Sequence, residues 1–158
     1  MKEVTLVFLI DSHKGQILLP MKKIGFGAGK YNGVGGKVEN GESVVEGAVR
    51  EVFEEIAATV NPGDLQKVAK LRFSFEPDKE PVFHCHVFIC NVWAGVPSES
   101  EEMAPRWFAV ADIPYKEMWV DDSYWLPMVL SGKKLDAEFH LSPDGNQVLS
   151  HKISDSVM

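Results

Sequence analysis

The chain has 158 residues, of which 45% are hydrophobic, and a net charge of −7. That length fits one α/β domain, taken here as residues 1–158, with enough apolar material for a real core. The negative charge argues against a polymeric nucleic acid as partner, because such binding rests on clustered Lys and Arg, and the longest apolar runs are far too short to span a bilayer.

Val4 to Ile10 is one such run. It leads straight into Asp11 without a small-residue cleavage site, so it reads as a strand rather than a secretory signal, and a cytoplasmic protein is expected. Gln16 to Met21 returns after the turn 11–15 as the second strand of a hairpin. A glycine-rich loop follows, and Tyr31 to Val38 leads to a helix over Val44 to Ile56 that Asn61-Pro62-Gly63 closes off. Leu65 to Phe75 and Pro81 to Trp93 form a second hairpin around residues 76–80. A short strand over Arg106 to Val110, a helical turn at Asp112-Ile113-Pro114 and a helix over Asp122 to Leu130 come next. Leu135 to Leu141 and Gln147 to Ile153 then close the chain as a hairpin. Mixed strands between two helices imply an α/β/α sandwich around a mixed β-sheet.

The helix at 44–56 carries the chemistry. Ser43 and Glu46 have capping-box spacing, and Val45, Ala48, Val49, Val52, Phe53 and Ile56 repeat as a stripe to be buried. On the other side Glu51, Glu54 and Glu55 share an arc of roughly 100°, with Glu42 upstream and Arg50 the only cation between Val38 and Val60. Crowded carboxylates with so little lysine relief call for a divalent metal rather than a solvated face. Gly47, one turn before Glu51, leaves room for an anion above that metal. Arg50 is expected to orient a neighbouring carboxylate through a bidentate pair rather than to touch substrate. Glycines 25, 27, 29, 33, 35 and 36 fit neither a dinucleotide fingerprint nor a P-loop, since no helix opens directly after them and no Gly-Lys-Ser/Thr follows. Gly25 to Gly29 can equally be flexible turns, whereas Gly35-Gly36 suits close backbone approach to metal and phosphates. Cys85 and Cys90, five apart on a strand, point to opposite faces and are expected to be buried reduced thiols rather than zinc ligands.

Gly36, then Glu42, then Arg50-Glu51-Val52-Phe53-Glu54-Glu55 resembles the Nudix box, with Ala57 standing where the family pattern has glycine. Met21-Lys22-Lys23, residues 25–29, Tyr31-Asn32-Gly33 and residues 119–125 are similar to the animal-type oxidised purine nucleoside triphosphate hydrolases of that family, over roughly residues 4 to 130. The resemblance implies the Nudix fold and a Mg2+-dependent diphosphatase, with Mn2+ as a substitute. It implies an enzyme that takes a small nucleoside triphosphate such as 8-oxo-dGTP or 2-oxo-dATP and cleans the nucleotide pool; a monomer is expected, although the sequence does not reveal the oligomeric state. It makes Glu51, Glu54 and Glu55 metal ligands, with the carbonyl of Gly35 and with Glu102, although Glu102 can equally be an exposed acid of an acidic loop. Asn32, Asp121 and Asp122 would read the base, Phe26, Trp119 and Phe73 would wall it, and Lys22 and Thr5 are weaker candidates beside routine surface or strand duty. Two adjacent aspartates, one keeping a proton, would donate as well as accept; helix capping is their ordinary alternative, as core packing is for Trp119. A Nudix hydrolase for an N6-methylated purine or a nucleotide sugar, and a sensor that binds without cleaving, stay as competing readings.

Overall fold

The computed structural model describes residues 1–156. Nine strands and two α-helices are present: β1 Lys2–Asp11, β2 Gln16–Leu18, β3 Met21–Lys22, α1 Val44–Ile56, β4 Gln66–Phe75, β5 Phe83–Cys90, β6 Met103–Ala104, β7 Trp107–Ala109, α2 Asp122–Leu130, β8 Leu135–Leu141 and β9 Val148–Asp155. Seven strands make one sheet in the order β7-β2-β1-β5-β4-β8-β9, and β3 pairs with β6 in a separate ribbon. β1 runs parallel to β5, and β4 to β8, while the remaining neighbours are antiparallel. The sheet is therefore mixed, as expected.

Alternation along the central strands sends successive side chains to opposite faces. Leu6, Phe8, Val87 and Phe139 pack with Trp125, Leu126 and Val129 of α2, and Phe8 meets Trp125 edge-on at 6.1 Å. Val7, Leu9, Phe88 and Cys90 pack with Ala48, Val52 and Ile56 of α1. Helices cover both faces, which gives the α/β/α layering. Cys85 and Cys90 fall in opposite layers, buried and unbridged, as their odd spacing requires.

Two expectations need correction. The second strand does not run unbroken from Gln16 to Met21; Pro20 has no N–H to give a ladder, and the chain leaves β2 after Leu18 to pair with β6 as β3. Phe53 does not belong to the buried stripe of α1 but is 58% exposed. At 100° per residue it lies about 100° from the centre of the stripe formed by Ala48, Val52 and Ile56. No described helix is long and apolar enough to cross a membrane.

Candidate active site

The start of α1 is fixed by the two reciprocal bonds its sequence announced: Glu46 N–H donates to Ser43 Oγ at 3.1 Å, and Ser43 N–H donates to Glu46 Oε1 at 2.9 Å. From that anchored helix Arg50 spreads its guanidinium over three glutamates. Nε and one terminal nitrogen donate to Glu42 at 3.1 and 2.7 Å, the other terminal nitrogen to Glu51 at 2.9 Å and Glu54 at 3.1 Å. A further bond reaches the Lys37 carbonyl at 3.0 Å and ties the helix to the preceding loop. The hydrogen bond from Arg50 is the main reason that Glu42 titrates below the ordinary carboxylate range, and the bond to Glu42 in turn pushes the guanidinium further up.

Glu55 lies beyond this fork. It is 7% exposed, and one carboxyl oxygen, Oε2, is buried with no hydrogen-bond partner. Burial first, then the charge and hydrogen bond of Glu51 and the charge of Glu102, push its pKa up to about 8, while Lys22 pulls the other way. The β3–β6 ribbon explains how residues so remote in sequence come together: it pairs Lys22 with Met103 and so carries Glu102 to the same place. Glu51 joins the two sets, bonded to Arg50 on one side and helping to raise the Glu55 carboxyl on the other.

The glycines before α1 are demanded by the protein's own atoms. A Cβ on Gly35 would stand 1.8 Å from the Thr5 carbonyl oxygen, and one on Gly36 would stand 2.7 Å from the Glu51 carboxyl carbon. Gly47, expected to leave space for an anion, makes room for the Glu42 carboxylate instead, whose Oε1 lies 3.0 Å from where its Cβ would be. At the far end of α1, Ala57 takes the left-handed conformation with φ 59°, the one non-glycine residue with positive φ among those described. The helix exit that glycine would make is thus kept by alanine.

A cavity of about 240 Å³ opens beside these carboxylates, and Thr5, Lys22, Phe26, Asn32, Gly35 and Gly36 all border it, as do Phe73, Trp119, Asp121 and Asp122. Trp119 is half-buried and tilts against the exposed Phe26 ring at 4.9 Å, so it is cavity wall rather than core. Gly27 and Gly145 flank the indole, each close enough that a Cβ would press on it at 3.0 and 3.3 Å. Asn32 is partly fixed by its own turn, its Oδ1 accepting the Gly33 N–H at 2.8 Å.

Asp121 and Asp122 are 4% and 3% exposed at the start of α2, and Asp121 makes no side-chain capping bond. Asp121 Oδ2 instead accepts the Trp125 Nε1–H at 2.8 Å. Burial raises both carboxyls, and Asp122 is pushed well above the usual range because the Asp121 charge adds to burial. Asp122 Oδ2 is buried with no hydrogen-bond partner, so its surroundings favour the neutral acid. Below the pair the Cys85 thiol is driven up by burial and then by both aspartates, and stays protonated.

Reasoning from sequence overlooked Lys30, whose ammonium stands 5.4 Å above the Trp119 ring, and Phe75 and Phe83, which meet edge-on at 6.2 Å and extend the Phe73 wall. Alternation along β4 held the signal, since Leu71, Phe73 and Phe75 share one face.

Comparison with known proteins agrees with this geometry. The NUDIX domain model matches residues 1–129. The chain is 41% identical to the mouse oxidized purine nucleoside triphosphate hydrolase over 96% of its own length and 93% of that protein's. It is 40% identical to the zebrafish protein of the same name, over 98% and 95%. A crystal structure of a MutT protein from Bacillus halodurans superposes with a TM-score of 0.84 at 24% identity, covering 98% of each chain.

Proposed function

The chain belongs to the NUDIX family, and from that premise we propose that it hydrolyses oxidised purine nucleoside triphosphates, of the 8-oxo-dGTP and 2-oxo-dATP type, to the monophosphate and diphosphate. One observation carries the reading: a single cavity is bordered both by a buried acid pushed well above the ordinary carboxylate range, with an indole in the same lining, and by Gly35 and Gly36, the second of which lies against Glu51. The first group suits a purine edge, and the second suits polyphosphate.

The carboxylates fit a hard divalent cation. All their donors are oxygen, Glu55 Oε2 lacks a partner, and burial, then crowding by Glu51 and Glu102, raises the Glu55 carboxyl, a cost that a bound cation would offset. Glu51, Glu54, Glu55 and Glu102, with the Gly35 carbonyl, would hold magnesium, with manganese as substitute. When bound, such an ion neutralises phosphate charge and makes water a better nucleophile. Arg50 keeps Glu51 and Glu54 oriented, and Gly36 lets the Glu51 carboxylate lie against the loop. At the base end Asp122 donates, Asp121 accepts, and Trp119 with Phe26 presents flat apolar surface. Lys22, which acts on Glu55, adds positive charge for the phosphates, while Lys30 stands over Trp119 on the base side. We place this hydrolase in the cytoplasm as a monomer, where it would clear damaged nucleotides before they reach DNA.

Steady-state rates on dGTP and 8-oxo-dGTP under magnesium test the proposal. Faster turnover of the oxidised nucleotide, with release of diphosphate rather than orthophosphate, is expected; equal rates on the two would overturn it.

A further inference from the structure

We propose that Glu3, His84 and His86 form a second cation site, built for a zinc-type transition metal and separate from the carboxylates of α1. β1 and β5 are parallel, with Glu3 opposite His84 and Thr5 opposite His86, so the pleat puts Glu3 and both histidines on one face. Glu3 Oε1 lies 3.0 Å from His84 Nδ1 and 2.9 Å from His86 Nε2, and the rings stand 4.3 Å apart. The ligand atoms of all three lie within 4.8 Å of one another. Zinc bonds of about 2.0–2.1 Å in a tetrahedron separate donors by roughly 3.3 Å, so small side-chain shifts suffice to admit the ion.

The donor set decides the class of metal. Two imidazole nitrogens and one carboxylate favour zinc, cobalt, nickel or copper over magnesium, which prefers oxygen throughout. His86 is buried, while the Glu3 side chain is 42% exposed and leaves a solvent side for a fourth ligand. Hydrogen bonding within the trio is also incomplete, because His84 Nε2 is buried without a partner. That ring is held by a single bond to Glu3 and can turn to present either nitrogen.

Lys67 competes for the same site. Its Nζ lies 2.7 Å from His86 Nδ1, and a metal on Nε2 requires a hydrogen on Nδ1, so the ammonium has to swing away toward Asp136. A metal here would staple β1 to β5 beside Thr5, whose carbonyl backs Gly35. It would act as a structural clamp.

The test uses the full-length protein, stripped with chelator and held in excess magnesium. Zinc uptake is read by equilibrium dialysis with elemental analysis, and the ligand set by the visible absorption of the cobalt form. One zinc per chain, a zinc-dependent rise in Tm and the stronger cobalt bands of low coordination are expected. Both His84→Ala and Glu3→Gln should weaken uptake at least about 10-fold, Glu55→Gln should leave it unchanged, and Lys67→Met should tighten it. Uptake that survives His84→Ala and Glu3→Gln, or that is lost with Glu55→Gln, overturns the proposal, as does the lack of stoichiometric zinc in both the natural chain and Lys67→Met. Glu3→Gln guards against a folding artefact, since Glu3 is the most exposed member.

Discussion

Just before and along α1, Glu42, Glu51 and Glu54 lie close together and share one guanidinium, whereas Asp121 and Asp122 are buried, with an indole N–H donating to Asp121 alone. In the first group Arg50 holds Glu42 below the ordinary carboxylate range; in the second, burial and then the Asp121 charge push Asp122 well above it. Glu55 sits on the first element but behaves like the second group, buried, with an unanswered oxygen and a raised pKa. Crowded acids are therefore handled in two ways here. Along α1, Arg50 supports the neighbours and stops one carboxylate short; at the start of α2, burial favours the neutral acid.

The sharpest way to break this contrast is Glu55→Gln. Diphosphate release should fall at least about 10²-fold, because the amide cannot offer an anionic ligand, while product nucleotide still binds. The same residue makes a pH prediction. Its folded pKa of about 8 exceeds the 4.5 of an unperturbed glutamate, so the stability it contributes is full below about pH 4.5 and is lost as pH rises through about 8. Thermal melts of the metal-free protein should decline over that window, magnesium should oppose the decline most strongly at its upper end, and Glu55→Gln should flatten it.

Arg50→Lys comes next in size. A lysine offers a point charge in place of the fork that holds Glu42 by two bonds, and kcat should drop about 10- to 100-fold with a smaller change in KM. Asp122→Asn probes the other group. If Asp122 already carries a proton, the amide replaces a neutral acid of similar shape, and metal-free stability should move by less than about 1 kcal/mol. A loss of several would mean that the native group is ionised and that the contrast fails. The smallest effect belongs to Ala57→Gly, which relieves a left-handed alanine and should raise the unfolding free energy in denaturant titrations by roughly 0.5–1 kcal/mol with kcat unchanged.

Much of α1 was legible because its determinants are local. The Ser43–Glu46 box, the stripe around Ala48, Val52 and Ile56, and the Arg50 fork all lie within a few turns of one another. Asn32, Trp119 and the aspartate pair came from resemblance, and no periodicity would have placed them around one cavity. The rest was hidden by distance in sequence. The division of the second strand depends on the partner that β6 supplies more than 80 residues later. The need for glycine at 35 depends on the Thr5 carbonyl, and the fit at 47 depends on which rotamer Glu42 adopts under Arg50. Phe53 was misjudged because it is apolar and adjacent to the stripe, though the helix turns it outward.

Trp119 is gripped by Gly27 and by Gly145, and the second of these, like the nearby cavity residue Leu141, lies past the segment matched by the family. The tip of the C-terminal hairpin consequently helps to set the width of the cavity beside Trp119, which the proposed function assigns to the heterocycle. Substitution at that tip offers a route to new base preference that leaves the glutamates of α1 untouched, so selectivity and bond cleavage can diverge separately.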